Sequence, residues 1–190
     1  DKKPKYKVIG TRPIRHDGTE KVTGRALYGG DTYQPGMLYG QVLRSPHAHA
    51  RIKSIDTSKA AGLAGVHAII TGADLPASTL DDMVDLGEGA ARVKYMRDNV
   101  LATDKVLYRG HALAAVAATN THIAEEALAL IEVEYEVLPA TLDVLEAMQD
   151  GAPLVHEHQT TQELGEDTGK KSNTASFNRH ELGNPEQGFA

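Results

Sequence analysis

The stretch Asn120-Thr-His-Ile-Ala-Glu-Glu-Ala-Leu-Ala-Leu-Ile-Glu-Val-Glu-Tyr-Glu-Val-Leu-Pro139 changes its period half-way along. Ile123, Ala127, Leu130 and Ile131 fall at i, i+4, i+7 and i+8, one apolar stripe of an α-helix. From Ile131 onward the repeat is two. Ile131, Val133, Tyr135 and Val137 share one face, and Glu132, Glu134 and Glu136 share the other. Asn120 or Thr121 can cap the helix, and Glu125 and Glu126 sit in its first turns, where the helix dipole favours anions. Pro139, unable to donate to a ladder, stops the strand. A helix feeding straight into a half-exposed strand points to an α+β fold.

Just upstream, Ala112 to Ala118 (ALAAVAA) is alanine-rich enough to be a helix. The glycine before it, Gly110, and the helix cap after it favour a strand. Val106 to Tyr108 starts an extended stretch. Residues 72–99 are charged and irregular, a loop with at most a helical turn or two. Val66 to Thr71 (VHAIIT) reads as a strand. Asp56 or Thr57 can cap a short helix through Ala60, Ala61 and Leu63, which Gly62 and Gly65 bring to an end. Ala50 to Ile55 sets Arg51 and Lys53 opposite Ile52, so one face of that strand is solvated. Met37 to Leu43 is apolar on both faces, the pattern of a strand sandwiched between layers, with Gly40 marking a bulge or a close backbone approach. Strand signals begin at Lys21-Val22-Thr23.

Residues 1–20 read as an extended arm containing Pro4 and Pro13, and residues 21–140 as the folded domain. In 141–190, Leu142 to Met148 can form a short helix. From His156 to Gln187 the chain is polar, with too few large apolar residues for a core, which is the composition of a linker or tail. The first residue is not Met and the last residues are not an obvious stop, so both ends read as cuts in a longer polypeptide.

Composition narrows the class. Of 190 residues 41% are hydrophobic, but only 5% are aromatic and none is Trp, so the core must be built from Val, Ile, Leu and Ala. A net charge of −6 argues against a nucleic-acid partner, which wants a basic face. With no cysteine, this chain can hold neither a disulfide nor an iron–sulfur cluster nor a Cys-ligated zinc. No apolar run approaches the roughly 20 residues that cross a bilayer. No Asn-x-Ser/Thr site is present, and a cytoplasmic location is expected.

Four groups of residues invite a chemical reading. His47 and His49 are two apart and could chelate a metal, but Ser-Pro-His-Ala-His between two strands more often shapes a turn, and no third ligand lies nearby. His156 and His158 lie in the polar tail, which offers no preorganised geometry. Asp81, Asp82, Asp85 and Glu88 could supply paired carboxyls, yet a charge run in a loop is usually solvated surface. The glycine pairs match neither a dinucleotide fingerprint nor a P-loop, and there is no nucleophile elbow. The residues alone thus support an α+β domain without a catalytic, cofactor-binding or metal site.

A longer string adds to this. Arg15-His-Asp-Gly-Thr-Glu-Lys-Val-Thr-Gly-Arg-Ala-Leu-Tyr28, Pro35-Gly-Met-Leu-Tyr-Gly40, Leu43-Arg-Ser-Pro-His-Ala-His-Ala-Arg-Ile52, Thr71-Gly-Ala-Asp-Leu-Pro76, Lys105-Val-Leu-Tyr108 and Val133-Glu-Tyr-Glu-Val-Leu-Pro139 resemble, in order and spacing, the xanthine dehydrogenase/aldehyde oxidase family of molybdenum hydroxylases. The resemblance is to the start of the molybdopterin-binding large subunit and implies the α/β hammerhead domain, short mixed strands with two or three helices. It implies a packing and docking module between the molybdenum-cofactor domains and the partners that carry iron–sulfur clusters and FAD. The family hydroxylates aldehydes or aromatic heterocycles with oxygen from water, at a molybdenum–pterin cofactor with a glutamate base. One branch resembles 4-hydroxybenzoyl-CoA reductase and removes a hydroxyl.

The family's cofactor loops and its glutamate lie beyond residue 190, so residues 141–190 become a linker toward a molybdenum-cofactor domain. After Gly110 the family usually has Gln or Glu and then Pro, whereas His111-Ala112 stand here, which leaves that loop's shape open. The turn Arg44, Ser45, Pro46, His47 and His49, with Gly110, is the candidate docking element. A stand-alone module that binds a partner or small ligand is the rival reading; an enclosed apolar pocket with convergent polar groups would favour it, and a flat exposed apolar face would favour docking.

Overall fold

The computed structural model describes residues 6–87, 90–180 and 182–189. The described residues up to Met37 form one compact unit, and Leu38 onward a second.

The first unit contains a short helix, α1 (Gly18–Val22), and a 3-10 turn at Gly29–Asp31. The β-branched pair Val22-Thr23 suggests a strand there, but the backbone is helical. Asp17 and Lys21, one turn apart, form an ion pair at 2.7 Å, and the Thr23 hydroxyl donates to the Thr19 carbonyl at 2.7 Å. Val22 is exposed, so no burial draws it into a sheet.

In the second unit the chain runs β1 (Tyr39–Arg44), β2 (Ala50–Asp56), α2 (Ser58–Ala61), β3 (Val66–Thr71), a hairpin of β4 (Met83–Asp85) and β5 (Ala90–Arg92), α3 (Val93–Val100), β6 (Lys105–Val106), β7 (Ala112–Ala118), α4 (Thr121–Leu130), β8 (Glu132–Val137) and α5 (Val144–Ala147). Strands β9 (Thr160–Glu163), β10 (Glu166–Lys171) and β11 (Ser176–Phe177) and helix α6 (Pro185–Phe189) complete it. This is the α+β architecture of mixed short strands and helices that the sequence pattern implies.

Two three-stranded antiparallel sheets make the body. In the first, the alanine-rich β7 lies between β1 and β3; in the second, β2 lies between β6 and β8. Small side chains on β7 let neighbours come close. Ala114 and Val116 meet Ala60 of α2 and Ala127 of α4 in one buried cluster, completed by Ile131 at the helix-to-strand switch. Leu113 joins Ala50, Ala102 and Val106 in a second cluster, flanked by Ile52, Val133 and Tyr135 of the other sheet. Asn120 caps α4, its side-chain oxygen accepting from the Ile123 amide at 2.9 Å. The outward residues of the second sheet pair across strands: Lys53 meets Glu134 at 3.0 Å, and Lys59 meets Glu132.

Three further regions differ from the sequence pattern. Residues 72–99, which read as a charged loop with at most a helical turn or two, carry the hairpin β4–β5 and most of α3, where Lys94 and Asp98 pair one turn apart at 2.6 Å. β1, apolar on both faces, is covered on only one: Tyr39, Gln41 and Leu43 turn inward, and Gly40, Val42 and Arg44 are exposed. The polar stretch after His156 carries the small sheet β10–β9–β11. No apolar alternation announces these strands. Hydrogen bonds hold them instead, with the Thr161 hydroxyl bonded to Ser172 Oγ and to the Thr174 carbonyl, each at 2.8 Å.

Candidate functional site

The turn after β1 is locked to the turn before β7 by backbone. Ser45 N–H donates to the His111 carbonyl at 2.9 Å, Gly110 N–H donates to the Ser45 carbonyl at 2.9 Å, and Arg44 Nη1 donates to the Gly110 carbonyl at 2.9 Å. Gly110 has φ +88°, a left-handed backbone that suits glycine. Arg44, Ser45 and Gly110, singled out in the sequence, are thus brought together.

Within the turn, His47 N–H donates to Ser45 Oγ at 3.0 Å, and the His47 ring meets Tyr135 edge-on with centroids 4.8 Å apart. His49 is buried, and its Nδ1–H donates to the Pro139 carbonyl at 2.6 Å. Its Nε2 is also buried and has no hydrogen-bond partner among the described residues. The two imidazoles are therefore committed to different neighbours. Ser45, His47 and His49 shape the turn, while Arg44 and Pro46 stay exposed.

The other candidates behave as solvated or packing groups. Asp82 accepts from the Thr79 amide and Asp85 from the Gly87 amide, each tying its own loop; Asp81 is exposed, and Glu88 lies outside the described residues. His156 packs on Tyr95 with centroids 4.8 Å apart, and His158 is exposed. Among the described residues no three His, Cys, Asp or Glu side chains are placed to hold a metal ion.

One residue escaped sequence reasoning. His111, noted in the sequence only as a departure beside Gly110, is fully buried. Its Nδ1 accepts from the Leu107 amide at 3.2 Å, so its proton is on Nε2, which donates to the Asp98 carbonyl at 2.8 Å. The ring stacks on Tyr108 with centroids 4.4 Å apart and planes 20° from parallel. Burial pushes its pKa below the ordinary value, which fits this neutral form. Both polar partners are backbone groups, so no pattern of side chains could have revealed it.

Beside this turn lies an exposed apolar face. Gly40, Val42, Ala68, Ile70, Ala115 and Ala117 share the outer face of the first sheet, since Val42 and Ile70 both lie opposite Ala115, and Gly40 and Ala68 opposite Ala117. Val42 is 37% and Ile70 44% exposed, which is unusual for such residues in the middle of strands. Along one edge, Val42, Ile70, Arg44, Val100 and Tyr108 line an open cleft of about 380 Å³. A face of small residues with an open cleft suits an apolar element laid across it better than an enclosed small molecule.

Comparison with known proteins places this architecture. Residues 23–139 match the family model for the aldehyde oxidase and xanthine dehydrogenase a/b hammerhead domain. The chain belongs to this family. The hammerhead chain is 38% identical to the carbon monoxide dehydrogenase large chain of Afipia carboxidovorans over 182 residues, 96% of this chain but 22% of that protein. It is 42% identical to a probable xanthine dehydrogenase subunit of Bacillus subtilis over 144 residues, 76% of this chain and 18% of that one. A crystal structure of Cu,Mo-CO dehydrogenase superposes with a TM-score of 0.61 at 40% identity, covering 76% of this chain and 17% of that one.

The hammerhead chain thus spans about a fifth of the length of these relatives. No helix among the described residues is long and apolar enough to cross a membrane.

Proposed function

We propose that this hammerhead domain is a scaffold and docking module of a molybdenum hydroxylase large subunit, and that the occupant of its bare sheet face is the cofactor-binding remainder of that subunit. The observation that carries the reading is the exposed apolar face of β1, β7 and β3. The length of the relatives supports it, because about four-fifths of each lies outside the matched region. Val42 and Ile70 supply the apolar contact, Gly40, Ala115 and Ala117 allow close approach, and Arg44 at the rim offers a cation to a carboxylate or carbonyl of the partner.

In this reading residues 21–140 are the docking body, and 141–190 lead toward the cofactor domains. The parent is an oxidoreductase with a molybdenum–pterin cofactor, working with iron–sulfur and flavin subunits in the cytoplasm. Charge substitutions on the face test the idea. Val42→Asp and Ile70→Asp should leave the circular dichroism of the domain unchanged and abolish its co-purification with the cofactor-binding part of the subunit. Retained assembly in the double variant would sink the docking assignment. The rival small-ligand reading draws less support, because the cleft described above is an open one.

A further inference from the structure

Residues 153–158 cross the end of the second sheet, tied down along their length by polar contacts. Glu157 Oε1 accepts from Arg51 Nη2 of β2 at 2.8 Å and from Lys105 Nζ of β6 at 3.3 Å. Lys105 Nζ also donates to the Leu154 carbonyl at 3.4 Å. On the far side Asn173, between β10 and β11, fastens the segment to the small sheet. Its Oδ1 accepts from the Val155 amide at 2.9 Å, and its Nδ2 donates to the carbonyls of Pro153 at 3.0 Å and Ala147 at 3.1 Å. The His156 ring lies on Tyr95 of α3. Beneath it is a cleft of about 180 Å³.

This cleft is a poor ligand site, because its charges already cancel. Arg51, Lys94 and Lys105 face Asp98, Asp104 and Glu157, and each cation has a carboxylate within 4 Å. The pairing has an alternative, however. Arg51 stands directly opposite Glu136 in the β2–β8 ladder, yet its guanidinium reaches past that neighbour to Glu157. A released Glu157 would leave Arg51 a cross-strand carboxylate to turn to. Release would cost Lys105, the more buried of the two cations, its carboxylate. But the segment that covers Lys105 would leave with it and open that ammonium to water, so two states of the segment are available.

We propose that residues 153–158 form a strap that holds the β9–β11 segment against the hammerhead body and that lets go in mild acid through His156. The titratable and charged groups that line the cleft with His156 are Lys94, Tyr95 and Asp98 from α3, Asp104 and Lys105 from β6 and the turn before it, Arg51 from β2, and Glu157 and His158 from the strap itself. Tyr95 touches the ring, and Lys105 and Asp98 act on its charge. Burial, with help from Lys105, holds the His156 pKa below its ordinary 6.5. Glu157 is held below the usual carboxylate range, chiefly by Lys105, and stays ionised as the pH falls. Docking is therefore complete above about pH 6.5 and weakens below it, toward the lower docked pKa, because the released imidazole takes up the proton first.

The test is hydrogen–deuterium exchange on the full chain at fixed ionic strength, read as protection factors so that the intrinsic pH effect is removed. Between about pH 6.5 and 5, opening of residues 154–163 should rise by up to about tenfold per pH unit, while β7 amides keep their protection. His156→Phe should keep the packing on Tyr95 and abolish the pH dependence, His158→Gln should leave it in place, and Glu157→Gln should loosen the segment at every pH. Constant protection from about pH 7 to 5 in the wild type would overturn the proposal. So would a pH response that survives in His156→Phe or disappears in His158→Gln.

Discussion

His111 offers the sharpest test of how the Arg44–His49 turn is held. Replacing it with alanine removes the ring between two backbone groups, Leu107 N–H and Asp98 C=O, which it alone bridges. Leaving each without a partner costs roughly 1–3 kcal/mol, and the empty ring volume adds to that. A loss of about 3–5 kcal/mol follows, against a total stability on the order of 5–15 kcal/mol for a domain. At roughly 2–4 °C per kcal/mol for a chain of this size, the melting temperature should fall by about 6–20 °C.

His111→Gln is the informative companion. Its amide can accept from Leu107 and donate to Asp98, so the loss should stay under about 1.5 kcal/mol. The pH dependence separates the two effects. Because burial depresses the His111 pKa, its contribution is fully present above 6.5 and is lost as the pH falls through the window beneath, at no more than about 1.4 kcal/mol per pH unit. Urea unfolding at about pH 7.5 and 5.5 should therefore show a shallower acid slope in His111→Gln than in wild type. A His111→Ala protein within about 1 kcal/mol of wild type, or an unchanged slope in His111→Gln, would refute the assignment of this histidine as the neutral bridge under the turn.

A Cβ on Gly72 would stand 2.7 Å from the Ala102 carbonyl oxygen and 2.6 Å from Thr103 Cγ2, and backbone cannot swing aside as a side chain can. Gly72→Ala should therefore cost about 1–3 kcal/mol in chemical denaturation. Asn120→Ala removes the acceptor for the Ile123 amide and should lower stability by about 1 kcal/mol, whereas Asn120→Asp should restore most of it.

The parts of the fold that could be read in the sequence are those in which burial imposes a period. The 3.6-to-2 switch at Ile131 located α4 and β8, because Ala127, Ile131 and Val133 all pack on one core and the glutamates between them face water. The alanine-rich β7 was ambiguous in composition, and the cap at Asn120 decided it. Elements held by hydrogen bonds rather than burial were not legible. α1 rests on Asp17, Lys21 and the Thr23 hydroxyl, and β9–β11 on Thr161, Ser172 and Asn173.

The site divides the same way. Arg44, Ser45 and Gly110 could be picked out because they lie in a distinctive string. The bare face of β1 was hidden because an apolar strand covered on one side and an apolar strand covered on both have the same pattern; only the absence of a layer over Val42 and Ile70 tells them apart. His111 was missed because both of its hydrogen-bond partners are main chain.

The most direct test of the docking assignment is native mass and molybdenum content measured together on the protein as its own cells make it. A docking domain of a molybdenum hydroxylase should run far above 20.4 kDa and carry molybdenum in the same peak. A species of 20.4 kDa, alone and without a molybdenum-containing companion, would contradict it.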